Sequence, residues 1–152
     1  MFNRSPDDIE EAFTDIDGAT LTKITFALGD SVEYRNAKKQ LHRIGGPAME
    51  LRNCRWLWFQ NDLLHREDGP AVYGQGEPEY WIRGVCKTEI VFALTFGKLD
   101  IGGIVDLIKT KTEQIFAKQE NKEAIITGLI DRGMNMDKIK ELLNAADLMR
   151  NV

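Results

Sequence analysis

The chain has 152 residues, 43% hydrophobic and 29% charged, which excludes a disordered protein because that much apolar surface offsets the entropy of ordering the chain. Two cysteines, Cys54 and Cys86, are too few for a disulfide scaffold at this length and read as a pair of buried free thiols. The longest apolar stretch, Ile90 to Phe96, is far short of the roughly 20 residues of a membrane-spanning helix. The acidic first residues also lack the basic and then apolar pattern of a secretory signal, so a soluble, cytoplasmic protein without a membrane partner is expected.

The net charge of −4 is unevenly placed: residues 1–33 hold eight acids against Arg4 and Lys23, whereas residues 34–66 hold seven bases against Glu50 and Asp62. A basic stripe of this kind binds phosphate or an acidic partner, or is answered by the chain's own acidic entry.

In chain order, Ser5-Pro6-Asp7-Asp8 has the composition of a helix start, with a capping hydroxyl, a first-turn proline and two carboxylates. Ile9, Ala12, Phe13 and Ile16 follow at helical spacing, so a short N-terminal helix is expected. Asp15-Ile16-Asp17-Gly18 has the outline of a calcium loop, but Phe13 and Ile24 stand where ligand oxygens belong, which rejects it. Ile24, Phe26 and Leu28, then Val32 and Tyr34, alternate about Gly29-Asp30, so residues 20–36 read as a β-hairpin.

The centre of the chain repeats. Leu41-His42-Arg43-Ile44-Gly45-Gly46-Pro47-Ala48 returns as Leu64-His65-Arg66-Glu67-Asp68-Gly69-Pro70-Ala71, identical at six of eight positions with a period of 65 minus 42, or 23 residues. Leu57-Trp58-Phe59 lies over Tyr80-Trp81-Ile82 at that offset, which predicts equivalent sites for Trp58 and Trp81. Gly-Pro turns the chain, Ala admits close approach and an alternating strand follows, with Gly69 a candidate for positive φ. Stacked hairpins bury a surface that one hairpin cannot. Lys87-Thr88-Glu89 stands where a third Leu-His-Arg would fall, so the array ends there.

Beyond residue 88 the apolar spacing becomes helical, and three or four helices are expected. Their stripes are Ile104, Val105, Ile108, Ile115 and Phe116; Ala124, Ile125, Leu129 and Ile130; and Ile139, Leu142, Leu143, Ala146 and Met149. Gly133 caps the second. The predicted architecture is α+β: a short N-terminal helix, an antiparallel β-meander on a tandem hairpin repeat, and a C-terminal helical bundle, divided as 1–87 and 88–152.

The block His-Arg-x-Asp-Gly-Pro-Ala, followed by an aromatic strand, resembles a repeat of uncharacterised phage, large-virus and bacterial proteins, and in shape is similar to the MORN-type β-hairpin repeat. The likeness covers about residues 34–85, with Ile44-Gly45 departing from the acidic pair of the second copy. It implies a β-meander interaction surface and a phage origin, hence host cytoplasm, and implies no activity.

His42 and His65 occupy the same repeat position, which favours a structural role in which ring and adjacent guanidinium hold carbonyls or Asp68 at the turn. The candidate binding residues are His42, Arg43, Arg55, Trp58, His65, Arg66 and Trp81: arginines for phosphate, indoles for stacking. Neither metal nor cofactor is expected, since no Cys or His pair has zinc spacing. Residues 122–149 have a helix-turn-helix outline, but Asp137, Glu141 and Asp147 offset Lys138 and Lys140, so a packed helical hairpin is the better reading.

The leading functional expectation is a non-enzymatic protein that binds a host-encoded partner, as an inhibitor of a host enzyme or defence component. Self-association through Leu142, Leu143 and Met149 is expected alongside it, because three apolar stripes exceed what a two-repeat sheet covers. Nucleic-acid or small-nucleotide binding through the basic centre is the alternative, and a His-dependent hydrolase is the third.

Overall fold

The structure, a computed structural model, describes residues 4–29, 31–97 and 99–150, with side chains to residue 147. It is of the α+β class, an antiparallel sheet followed by helices, and divides into two compact units, Met1–Lys87 and Thr88–Val152.

The first unit carries an antiparallel sheet of six strands: β1 (Ile9–Thr14), β2 (Thr20–Thr25), β3 (Ser31–Arg35), β4 (Met49–Leu51), β5 (Arg55–Leu57) and β8 (Val72–Gly74), side by side in that order. Two short hairpins complete it, β6 (Phe59–Gln60) with β7 (Leu63–Leu64), and β9 (Tyr80–Ile82) with β10 (Val85–Lys87). Alternation sorts the residues by face. Ile24, Glu33, Met49, Leu57 and Val72 form one row across the strands, while Val32, Glu50, Trp56 and Tyr73 form a row on the opposite face. In the first row Ile24, Glu33 and Val72 are buried. Glu33 is tolerated there because Arg35 grips its carboxylate from Nε at 2.8 Å and Nη2 at 2.6 Å.

The predicted N-terminal helix is a strand. Residues 9–14 pair with β2 from Ile9 opposite Thr25 to Thr14 opposite Thr20, and Ile9 and Ile16, assigned to the helix stripe, are exposed. The apparent helix start is instead a turn. The Asp8 amide donates to the Ser5 carbonyl, the Ser5 amide donates to Asp8 Oδ2, and Asp8 Oδ1 accepts from the Ala27 amide on the neighbouring hairpin. Donors from Ser5 and Ala27 hold the Asp8 carboxyl below its ordinary value. A capping signature and a turn signature share their residue types, and the strand partner decided between them.

Among the described residues the second unit has five helices: α1 (Glu89–Phe96), α2 (Ile101–Thr110), α3 (Thr112–Ala117), α4 (Gln119–Asp131) and α5 (Met136–Arg150). The count exceeds the sequence expectation because α1 is apolar all round and shows no stripe, and because the first stripe breaks at Lys111. Thr88 caps α1 and also donates to Asn121 Oδ1 at 2.7 Å, while Asn121 Nδ2 donates to the Gln114 carbonyl, which satisfies a buried amide. Helix α4 ends as expected at Gly133, whose φ of 88° suits glycine. The Gly133 amide donates to the Ile130 carbonyl and the Met134 amide to that of Leu129, the paired bonds of a Schellman cap. Ile104, Ile108, Ile115, Ile125, Leu129 and Ile139 close one core, so α4 and α5 pack as a helical hairpin. No helix among the described residues is long and apolar enough to cross a membrane.

Asp15, in the β1–β2 turn, ties the first hairpin to the first repeat. Its buried carboxylate accepts from the Ile44 amide at 2.6 Å and the Gly45 amide at 3.0 Å. Burial pushes its pKa up, but the amides of Ile44, Ile16 and Gly45, with Arg43 nearby, outweigh this and hold it below 3.8. Stability from a carboxylate with a lowered folded pKa is complete above the unfolded value and lost as pH falls through the folded one. Asp15→Asn should therefore destabilise the protein by about 1–3 kcal/mol near neutrality. Melting curves of both proteins should converge as pH falls below about 4; a gap independent of pH would contradict this role.

Candidate functional site

Each residue of the repeat motif has a mechanical task, and the arginine is central. Arg43 lies over the Tyr34 ring and Arg66 over the Trp58 ring, both with Cζ 4.1 Å from the centroid. In both copies Nη1 donates to the carbonyl of the following proline, Pro47 or Pro70, at 3.2 Å. The other side of each guanidinium lies against a glycine. A Cβ added at Gly46 would come within 2.9 Å of Arg43 Cζ, and one at Gly69 within 3.1 Å of Arg66 Cζ. A side chain at Gly69 would therefore crowd the guanidinium. Gly69 has no positive φ, contrary to the sequence expectation.

The remaining motif residues stitch the copies together. Ala48 and Ala71, fully buried, accept through their carbonyls from the amides of Tyr34 and Trp58 at 2.8 Å. The His42 and His65 amides donate to the Tyr34 and Trp58 carbonyls at 3.0 Å. Each imidazole then accepts at Nδ1, 3.2 Å from the amide of Asn61 or Arg83 in the next turn. The rings thus hold amides, while the carbonyls and Asp68 expected for ring and guanidinium together are held by the guanidinium groups alone.

These bonds also correct the repeat phase. The Arg43 amide donates to the Phe59 carbonyl and the Arg66 amide to the Trp81 carbonyl, so Trp81 answers to Phe59, and Tyr80 answers to Trp58. The loop between paired strands is one residue shorter in the second copy, since Met49 faces Leu57 but Val72 faces Glu79. Because side chains alternate, that single residue transfers Trp81 to the other parity. The equivalence predicted for Trp58 and Trp81 does not hold.

The copies also differ at the acidic pair. Arg66 Nε donates to Asp68 at 2.7 Å, but Gly45 occupies that place in the first copy and Arg43 Nε is buried without a hydrogen-bond partner. Arg43 is held instead by Glu50 at 3.3 Å, and its guanidinium also lies 5.0 Å from the Phe13 ring. Gly45 has no Cβ where Asp15 Oδ1 would stand 2.9 Å away, so its bareness admits that carboxylate.

Of the predicted binding residues, Trp58, His65 and Arg66 line one groove of about 590 Å³ with the Ile44–Pro47 turn, Gln60, Glu67 and Asp68. Arg43 and Trp58 line a second, of about 420 Å³, with Gly45, Pro47, Glu50, Trp56 and Tyr73. His42, Arg55 and Trp81 line neither. Arg55 pairs with Glu79 at 2.7 Å, and the Trp81 indole donates to the same carboxylate at 2.9 Å. Sequence reasoning missed the groove residues Trp56 and Tyr73, a cross-strand pair with rings stacked at 6.0 Å, because Tyr73 lies outside the matched blocks.

The thiols of Cys54 and Cys86 are exposed, correcting the expectation of burial, and among the described residues no group of three metal-ligating side chains gathers. In the second unit, Leu143 belongs to the closed helical core and is not a surface residue. Leu142 lines a shallow apolar groove of about 380 Å³ with Val105, Met134 and Ala145. The Met149 side chain lies outside the described residues.

No family model, curated protein or solved structure matches this chain. The grooves therefore have to be read from their own chemistry.

If the guanidinium needs the bare glycine, Gly46→Ala should cost about 1–3 kcal/mol through overpacking. In an Arg43→Ala background most of that cost should vanish, because the clashing group is gone. Chemical denaturation of the four proteins of the cycle measures the coupling. Additive effects would contradict the clasp.

Proposed function

We propose that the protein is a non-enzymatic binding module that takes a protein partner on the repeat face of its sheet. The observation that carries this reading is the pair of open grooves that share Gly45, Gly46, Pro47 and Trp58, with Trp56 and Tyr73 in one of them, while the arginines that line them are already engaged. Aromatic, turn-rich surfaces of this kind supply contact area at low entropic cost. A phosphate ligand would have to compete with Asp68 for Arg66 and with Glu50 for Arg43. A hydrolytic role would have to release His42 or His65 from the amides they hold. The motif's likeness to phage and viral repeats suggests the setting, in which occupation of a host enzyme or defence component is the role served.

The test is capture of partners by the tagged full chain from its native cells, compared with an Ile44→Glu variant. Ile44 is 45% exposed and lines the larger groove. The expected result is a protein retained by the wild type and reduced about tenfold by the substitution, equivalent to about 1.4 kcal/mol. Nucleic acid or nucleotide in the eluate, lost with high salt and with Arg43→Glu and Arg66→Glu, would contradict the proposal.

A further inference from the structure

The two grooves share Gly45, Gly46, Pro47 and Trp58, so one surface runs from the Trp56–Tyr73 stack, past the Gly45–Pro47 turn, to Glu67 and Asp68. Its charges are sorted by depth. The Arg43 and Arg66 side chains are only 17% and 23% exposed, whereas those of Glu67 and Asp68 are 60% and 83% exposed. With Glu50, three carboxylates stand against two guanidinium groups, and the outward charges are the negative ones. An arriving chain therefore meets carboxylates and aromatic rings first, although the stretch is basic in sequence.

We infer that this surface takes an extended, arginine-bearing segment of the partner protein. The incoming guanidinium is held by Glu67 and by Oδ2 of Asp68, whose Oδ1 Arg66 already takes, and the flanking residues cross Pro47 onto Trp56 and Tyr73. The inference rests on the protein-binding role proposed above and names the chemistry of that partner. Charge complementarity selects a cation. The choice of arginine follows from what the fold already does with it: Arg66 shows that a guanidinium at this groove satisfies Asp68 through Nε while lying over an indole. A planar fork matches carboxylates in two places and stacks on rings, which an ammonium does less well.

The experiment measures fluorescence anisotropy of a fluorescein-labelled peptide of alternating arginine and proline in about 0.15 M salt. Versions carrying lysine, citrulline or glutamate in place of arginine are compared on the full chain. The arginine peptide should bind best, citrulline should weaken it about tenfold, and the glutamate version should not bind. Glu67→Lys and Tyr73→Ser should each weaken the arginine peptide about tenfold, with circular dichroism showing that both variants remain folded at the assay temperature. Glu123→Lys, an exposed reversal on α4, controls for net charge and should cost much less.

Equal binding of arginine and citrulline peptides, sensitive to Tyr73→Ser, would overturn the arginine assignment while leaving a polypeptide-binding groove. An effect of Glu123→Lys as large as that of Glu67→Lys would overturn the site. Failure of all four peptides overturns the inference, and nucleic acid in the capture experiment would overturn the reading beneath it as well.

Discussion

Two short hairpins do not hold their shape alone in water, and in this protein the coupling between them passes through an arginine side chain. The guanidinium of Arg43 or Arg66 is enclosed by an aromatic ring of the preceding hairpin, the carbonyl of the proline in its own turn and the bare face of a glycine. Stacking of this kind contributes about 0.5–2 kcal/mol according to burial, and a charged donor strengthens the bond to the carbonyl. The glycine is required for room, the proline presents its carbonyl, and the alanine permits the close strand contact. His-Arg-x-x-Gly-Pro-Ala is thus the covalent record of one packed unit.

The same constraint shapes the surface. Arg43 and Arg66 are engaged by their own turns, so within the grooves the more exposed charges are the carboxylates of Glu67 and Asp68. The first copy shows how the unit adapts. With Gly45 in place of an acid, Arg43 turns to Glu50, and Asp15 enters from another hairpin to hold the turn amides. The turn so held lines both grooves on which the proposed function rests.

Much of this was legible in the sequence. The repeat, the hairpin at residues 20–36, the helical tail and the Gly133 cap follow from strong local signals: identical blocks, alternation about a turn and a glycine after an apolar stripe. What was not legible depended on partners distant in sequence. Ser5-Pro6-Asp7-Asp8 carries the residue types of a helix start, and only pairing with β2 makes it a turn. The phase of Trp81 depends on a loop shorter by one residue, which an ungapped comparison of copies hides. Asp15 is unremarkable by spacing, because its partners lie about thirty residues away. Of the binding residues named from the sequence, Trp58, His65 and Arg66 meet in one groove, whereas Arg55 and Trp81 meet around Glu79.

The guanidinium groups of Arg43 and Arg66 lie over the rings of Tyr34 and Trp58, and the structure of the repeat depends on that placement. Nuclear magnetic resonance tests it most directly, because protons above an aromatic face are shifted upfield by the ring current. The account predicts that the side-chain protons of these two arginines stand apart, upfield of the protein's other arginines, and that Trp58→Leu returns those of Arg66 alone to the common position. Resonances of Arg43 and Arg66 among those of solvent-exposed arginines in the folded protein would contradict it.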